Sequence, residues 1–522
     1  MSSVASGLPG TLRARLAEID AETALLHTRL ALLAAERKPL VQALQSVIYP
    51  AVLDIPPEIT AEIFLQYVTT AQIGGDNPTI PHAPGWVAPC GPLVLASICR
   101  RWREIALSLQ PIWSRFRIKT SSDGLESVAR LLEHWLPRAG DHPLVVYLAG
   151  WNNVHLIPLG RNLINLHTLH CSFNSLTGFP NQLVQGRIPN LRRLEITGEN
   201  VDGPGPATPI TAFIDCLQLR EVALYACLRP WISLPWDRLT RLELTELYND
   251  QCIDILQSTP AVESLTLFLV NVPDPHFAAA PVRLPHLHTI KIDKYQTYVD
   301  IFRALDAPSL THIEFSLSPT EDLPPLMSTK ALDFIGLIQR SACHLRSITL
   351  FRARLYECVE CLGAAGSSLA VVKMQEIEWH GEQFKHFFRA FQVDAAAPLV
   401  PNLTSLSLNP CVVAVNVPYV ELAAMLASRR GRDTRDGTVA RLESFELVLD
   451  DTSSWPNPTL AEMDESLDAL RALQADGLDL NLRVLQKMSQ MATMDAAAVY
   501  PPPPDWLDEN SIVVREVRRP QI

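Results

Sequence analysis

The sequence predicts an α/β chain in which a short all-helical N-terminal part precedes an irregular solenoid of strand-and-return repeats with one curved parallel sheet. Two observations carry this. From residue 166 onward an apolar-x-x-apolar-x-apolar phrase recurs eleven times, starting at Leu166, Leu191, Leu219, Leu239, Val262, Leu287, Leu310, Leu345, Leu369, Leu403 and Leu442. Before residue 110 the apolar residues follow helical spacing instead. The 522 residues, 48% hydrophobic and 19% charged, suffice for a large core and exclude a disordered chain.

The first element is a heptad helix, residues 1–48. Leu12, Ile19, Leu26, Leu33, Leu40 and Val47 recur every seven residues, with Leu16, Leu30 and Leu44 four residues after alternate members. Thr23 and Arg37 fill the remaining seam positions, and Pro39 is expected to kink and interrupt the rod near Lys38. Two readings follow: an amphipathic helix packed back on its own chain, which the short and partly polar seam favours, or a self-associating coiled coil.

Residues 49–117 come next. Pro57 sits at a helix start, with Ile59, Ile63 and Phe64 expected on one face. A second helix is expected over Val94 to Leu107, where Leu95, Ile98, Trp102 and Ile105 line up, and the Pro- and Gly-rich stretch 69–92 reads as a loop.

Ile55-Pro56-Pro57-Glu58-Ile59, then Ile63-Phe64, Ile98-Cys99-Arg100-Arg101-Trp102-Arg103-Glu104-Ile105-Ala106 and Pro111-Ile112-Trp113 together resemble an F-box. The resemblance is closest to the F-box-like proteins abundant in mushroom-forming fungi, which also begin with a heptad helix running into a Tyr-Pro-x-x-x-x-Pro-Pro-Glu-Ile segment. It implies a three-helix motif that docks on a Skp-type adaptor and, through it, on a cullin-RING ubiquitin ligase. Carried over position by position, the adaptor-facing residues are Ile55, Pro56, Ile59, Ile63, Phe64, Cys99 and Trp102. The loop 69–92 departs from the compact form of the motif.

Residues 118–485 hold the repeats. Five of the eleven phrases have proline two residues before their first apolar position (Pro189, Pro260, Pro285, Pro308 and Pro401), where chance would place about one. The mean interval of about 28 residues lies in the leucine-rich-repeat range. Only Asn174, Cys227 and Cys411 supply the Asn or Cys a regular repeat carries eight residues after its first leucine, so the solenoid is expected to be irregular, with insertions between Leu310 and Leu345 and between Leu369 and Leu442. Helical spacing from Leu125 to Trp135 and a strand at Leu144 to Leu148 read as the opening repeat. Leu460 to Gln474, with Thr459 and Glu462 as a capping box and Gly477 beyond its end, reads as the last helix before a final strand at Leu478 to Leu482. Residues 486–522 then form an acidic, proline-containing tail; from 450 onward there are 13 acidic against 6 basic residues.

Strand alternation places the residues two, four and six after each phrase start on the concave face. The row four after reads His170, Glu195, Ala223, Glu243, Thr266, Lys291, Glu314, Thr349, Lys373, Ser407 and Glu446, and the row six after contains Tyr225, Phe268 and Phe351, the expected target-binding aromatics. A solvated strand face also shows mixed charge whatever it binds.

No phosphate-binding, dinucleotide, zincin or nucleophile-elbow motif is present, and no catalytic residue, metal or cofactor is expected. Cys358-x-x-Cys361 lacks two further ligands at zinc spacing and reads as core packing. A net charge of −12 argues against nucleic acid as a partner. Ten unpatterned cysteines, and apolar stretches too short for a membrane helix, point to an intracellular protein, cytoplasmic or nuclear, on which the sequon at Asn402 stays idle. The expected function is the substrate-recognition subunit of an SCF-type ligase, not an enzyme, that binds the adaptor through its F-box-like segment and an unnamed target protein through its repeats. The alternative is a leucine-rich-repeat scaffold without a ubiquitination role.

Overall fold

The computed structural model describes residues 8–47, 55–73, 91–119, 125–149, 159–160, 162–172, 181–198, 206, 208–270, 280–293, 300–317, 329–378, 383–393, 399–411, 418–430, 439–451, 460–486 and 513–517. The chain divides into two compact units, Met1–Trp113 with Arg138–Gly140, and Ser114–Pro137 with Asp141–Ile522.

In the first unit α1 runs over Leu8–Val47 as one helix that contains Pro39, so the expected interruption at Lys38 does not occur. Every residue from 14 to 40 is exposed. The seam therefore does not pack back on the chain as expected: Leu16, Leu26, Leu30 and Leu33 all face solvent.

Among the described residues four helices follow: α2 (Pro57–Ile73), α3 (Gly91–Ile98), α4 (Arg100–Ser108) and α5 (Gln110–Trp113). The single helix expected over Val94 to Leu107 is split at Cys99. That residue takes an extended conformation (φ −152°, ψ 169°), and its thiol accepts the Trp102 N–H at 3.4 Å, capping α4. Two arginines fasten the corner, Arg103 to the Ala96 carbonyl (2.8 Å) and Arg101 to the Ile55 carbonyl (3.0 Å). Trp113, fully buried, donates its indole N–H to the Ala106 carbonyl.

Among the described residues of the second unit a single sheet holds fifteen strands, all parallel to their neighbours and in sequence order. These are β1 (Arg115–Lys119), β2 (Leu144–Ala149), β3 (Leu166–Ser172), β4 (Arg193–Thr197), β5 (Glu221–Tyr225), β6 (Arg241–Thr245), β7 (Ser264–Phe268), β9 (Thr289–Ile292), β11 (His312–Ser316), β12 (Ser347–Phe351), β13 (Val371–Glu378), β14 (Ser405–Cys411), β15 (Ser444–Asp451), β16 (Asp479–Gln486) and β17 (Val513–Val517). The omitted numbers, β8 (Val282–Arg283) and β10 (Leu305–Asp306), pair with each other apart from it. All eleven phrases form consecutive strands, β3 to β15, of this leucine-rich-repeat-like sheet. Positions one, four and six of each phrase point inward: Leu191, Leu194 and Ile196 are fully buried, as are Leu403, Leu406 and Leu408.

Two expected boundaries move. Arg115–Arg117, assigned from sequence to the helical segment, belong with Ile118 and Lys119 to the first strand of the sheet, because the alternating Phe116 and Ile118 suit a half-buried strand. The strand at Leu478 to Leu482 is not the last: Val513–Val517, a β-branched run in the segment read as tail, pairs with β16. Thr459, expected to cap the last helix, and Asn174, expected at a repeat's bend, lie outside the described residues, as does most of the loop 69–92.

The prolines have a local task. In all five proline-bearing phrases the first apolar N–H bonds the carbonyl three residues back, Leu191 to Ile188, Val262 to Thr259, Leu287 to Leu284, Leu310 to Ala307 and Leu403 to Val400, at 3.1–3.4 Å. Proline thus sits second in a β-turn, where its fixed φ is already correct, and feeds the chain into the strand. The residue between proline and leucine then reaches back one repeat. Asn190, Ser309 and Asn402 donate to the carbonyls of Ile164, Pro285 and Ser367, each two residues before the preceding phrase.

Seven residues after the phrase start, the N–H bonds the carbonyl six residues into the next phrase: Gly198 to Tyr225, Ala226 to Thr245, Arg352 to Gln375, and likewise Glu246 to Phe268. Ala226, Glu246 and Arg352 occupy the left-handed region to do so, and Glu376, at the same place in its phrase, shares that conformation. The next position is dry: Cys227, Leu247, Ala353 and Ile377 are all fully buried, and at Leu247 and Ala353 the preceding backbone bond stands where a regular repeat would use an Asn or Cys side chain.

The return limbs include 3-10 turns such as Arg229–Trp231 early on and helices later, among them Thr329–Ser341, Leu355–Ala365, Gln383–Ala390 and Tyr419–Arg430. Thr329–Ser341, Gln383–Ala390 and Tyr419–Arg430 lie in the long intervals noted in the sequence. Phe302, Phe315 and Phe334 fill the core beneath one of them, and Phe384, Phe387, Phe388 and Phe391 fill it beneath the next pair.

Candidate functional site

Two surfaces, one in each unit, carry the residues singled out in the sequence. On α2 the four-residue spacing generates two distinct stripes. Thr60, Phe64 and Val68 are buried, and Phe64 meets Trp102 edge-on with centroids 4.9 Å apart. Ile59, Ile63 and Tyr67 form the neighbouring stripe and are exposed, as are Val94 and Ile98 of α3 and Leu107 of α4. The expectation that Phe64 shares a face with Ile59 and Ile63 is therefore corrected: Phe64 belongs to the interior, where it holds Trp102. Trp102 and Cys99 are half-buried, one as Phe64's partner and the other as a helix cap. Ile55 is half-buried with its carbonyl bound by Arg101, while Pro56 is exposed and its carbonyl receives the Thr60 amide. Of the seven adaptor-facing residues named from sequence, Pro56, Ile59 and Ile63 are thus at the surface.

On the open face of the sheet, the row four after each phrase start is one unbroken line of cross-strand neighbours from Tyr147 of β2 through His170, Glu195, Ala223, Glu243, Thr266 and Lys291 to Glu446 of β15. The Tyr147 ring stacks on His170 (4.0 Å), and His170 Nδ1 lies 2.6 Å from Glu195. Burial opposes ionisation of Glu195, but the His170 hydrogen bond and the His170 and Arg193 charges outweigh it and hold its carboxyl below the ordinary range. One row lower, Glu221 sits between Arg193 (3.7 Å) and Arg241 (3.3 Å). Ala223, with the smallest side chain in the line, leaves a depression of about 120 Å³ lined by Arg193, Glu221, Arg241, Glu243 and Thr266. Burial, and then the charge of Glu195, push the Glu243 carboxyl up.

The aromatic row divides. Tyr225 donates its hydroxyl hydrogen bond to Glu246, and burial followed by that neighbour pushes its pKa up to about 12. Phe268, two strands away on β7, is 37% exposed. Phe351 is corrected: it is 7% exposed and its register partner Ser316 is fully buried, so the row is covered at β11 and β12. Sequence reasoning named His170 and Glu195 only as row members and missed Tyr147 and the Arg193, Glu221 and Arg241 chain. Extending the same register one strand back, and reading the row two after each start, would have found both.

Cys358 and Cys361 are fully buried on the helix Leu355–Ala365, and burial raises both thiols. Among the described residues no cluster of three His, Cys, Asp or Glu side chains is placed to hold a metal ion, and no helix is long and apolar enough to cross a membrane.

No family model matches the chain, and no curated protein matches it. Among solved structures, a TLR13–ssRNA13 complex matches at 16% identity with a TM-score of 0.29, over 59% of this chain and 46% of that one. The chain thus spans less than half the length of that structure. At such a score the likeness supports no argument, and the repeat architecture rests on the sheet itself.

Proposed function

We propose that the protein is a non-enzymatic recognition subunit whose helical unit binds a Skp-type adaptor of a cullin-RING ligase and whose repeat face binds a target protein. The observation that supports this best is the stripe Ile59, Ile63 and Tyr67, with Val94, Ile98 and Leu107 also exposed, on a small unit whose interior is already filled by Phe64 and Trp113. Apolar side chains left outside a filled core suit a protein interface. Tyr225, Phe268 and the depression at Ala223 are the proposed target contacts, since aromatic anchors beside fixed charges commonly dominate such surfaces. The mechanism is proximity: holding a target beside the transfer machinery raises its effective concentration.

Calorimetry of the full chain with a purified Skp-type adaptor tests the first half. Binding tighter than ~10 μM, lost in Ile59→Asp with Ile63→Asp while the thermal melt is unchanged, is the expected result. No binding by the wild-type chain leaves the scaffold reading, which shares the repeat face and has no ligase role.

A further inference from the structure

We propose that α1 is an antiparallel dimerisation helix whose partner is a second copy of this chain. The helix exposes 27 consecutive residues, 14 to 40, including seam residues Leu16, Ile19, Leu26, Leu30 and Leu33, each between 47% and 62% exposed. An apolar seam of this kind needs a cover, and the pattern of charge beside it says which.

In the heptad frame Leu16, Thr23, Leu30 and Arg37 occupy a, and Ile19, Leu26, Leu33 and Leu40 occupy d. The g positions just before each a residue are Arg15, Glu22, Arg29 and Glu36, alternating in sign without exception. In a parallel pair g faces e of the next heptad, giving Arg15 with Asp20, Glu22 with His27, Arg29 with Ala34 and Glu36 with Val41, so one ion pair in four is complete. In an antiparallel pair g faces g. Sliding the copies so that Arg15 meets Glu36 also brings Glu22 to Arg29, and the two-fold axis repeats both, so all four positions are matched in sign.

The same register settles the seam. Leu16 meets Leu33, Ile19 meets Leu30 and Thr23 meets Leu26, each twice. The Thr23 hydroxyl already donates to the Ile19 carbonyl of its own helix (2.7 Å), so it enters the seam without an unpaired hydrogen. Arg37 falls opposite Leu12 near the end of the overlap, where its guanidinium reaches water, and Pro39 lies in the last turn of the overlap, opposite Gly10. The one intrahelical pair that must give way, Arg15 with Glu18, is about 70% exposed on both sides and worth little.

Light scattering of the full chain should give twice the 57.9 kDa chain mass. Arg15→Glu with Arg29→Glu makes the g row wholly acidic, and Glu22→Arg with Glu36→Arg makes it wholly basic. Each variant alone should weaken the dimer about a hundredfold, as expected for four modest pairs turned repulsive. Mixed one to one, they should restore it; a parallel pair would not be restored, because its e positions are unchanged. Leu16→Cys alone should form no more crosslink than the wild-type chain, whereas Leu16→Cys mixed with Leu33→Cys should crosslink. A monomer, a trimer or tetramer, a dimer indifferent to the charge variants, or self-crosslinking of Leu16→Cys would each overturn the proposal.

Discussion

Replacing Arg429 by Met should cost the repeat unit about 4 kcal/mol. The side chain has no exposed surface and ends among three carbonyls, donating from Nε to Phe391 (2.7 Å), from Nη1 to Val400 (2.8 Å) and from Nη2 to Leu399 (2.7 Å). Burial draws its pKa down to about 10, which still leaves it protonated at neutral pH, so all three bonds are charge-assisted. Methionine matches the stem's length but offers no donor. The Val400 carbonyl keeps the Leu403 N–H, whereas those of Phe391 and Leu399 lose this donor at roughly 1 to 3 kcal/mol each, so the sum falls near the middle of about 2 to 6 kcal/mol. The three carbonyls lie at the end of one return limb and in the turn into β14, so the loss falls on the contact between adjacent repeats, the quantity that governs solenoid stability. Urea unfolding of the full chain followed by circular dichroism reads the total, and amide exchange over residues 383–430 reads its location. Arg429→Lys, which keeps the charge but not the planar fork, should fall between the two. A loss below about 1 kcal/mol in Arg429→Met would refute the claim that these bonds hold the repeats together.

Other substitutions separate structural from surface roles. A Cβ on Gly198 would stand 2.2 Å from the Ala226 carbonyl oxygen, so Gly198→Ala should lower the melting temperature by several degrees, whereas Gly336→Ala, in a helix with open space around it, should leave it unchanged or raise it. Phe351→Ala should destabilise by about 3 to 5 kcal/mol in denaturant titration, and Phe268→Ala by less than about 1. Glu243 binds its proton more tightly folded than unfolded, so it loses stability as pH rises through the ordinary carboxylate range; Glu243→Gln should raise the melting temperature at pH 7 and make little difference below about pH 4. An equal effect at both pH values would show that the charge is not the cause.

The strands were legible because burying one face imposes a spacing that composition cannot mimic eleven times in order, and the prolines sharpened it because each opens a β-turn. The helical unit was legible in its residues but not in its faces. Ile63 and Phe64 are adjacent, and which stripe turns inward depends on Trp102, 38 positions away, rather than on α2 alone. The break at Cys99 was hidden because a thiol is a poor cap that sequence rules do not include. Val513–Val517 was missed because nothing in five residues reveals that they pair with residues 31 positions earlier. On the open face the row was readable and its contents were not: burial of Phe351 and the stacking of Tyr147 on His170 arise between strands.

The side chains of Asn190, Ser309 and Asn402 and the backbone of the left-handed residues Ala226, Glu246 and Arg352 each bind the repeat next to their own. A sheet stitched this way has no keystone. A repeat can be duplicated or lost in one genetic event without retuning distant ones, and the line of side chains on the open face then lengthens or shortens by one strand spacing, about 4.8 Å. The same locality shapes how the protein would yield to a pull from one end: not in a single rupture, but in a sawtooth of small steps, each releasing one turn, one strand and one return limb.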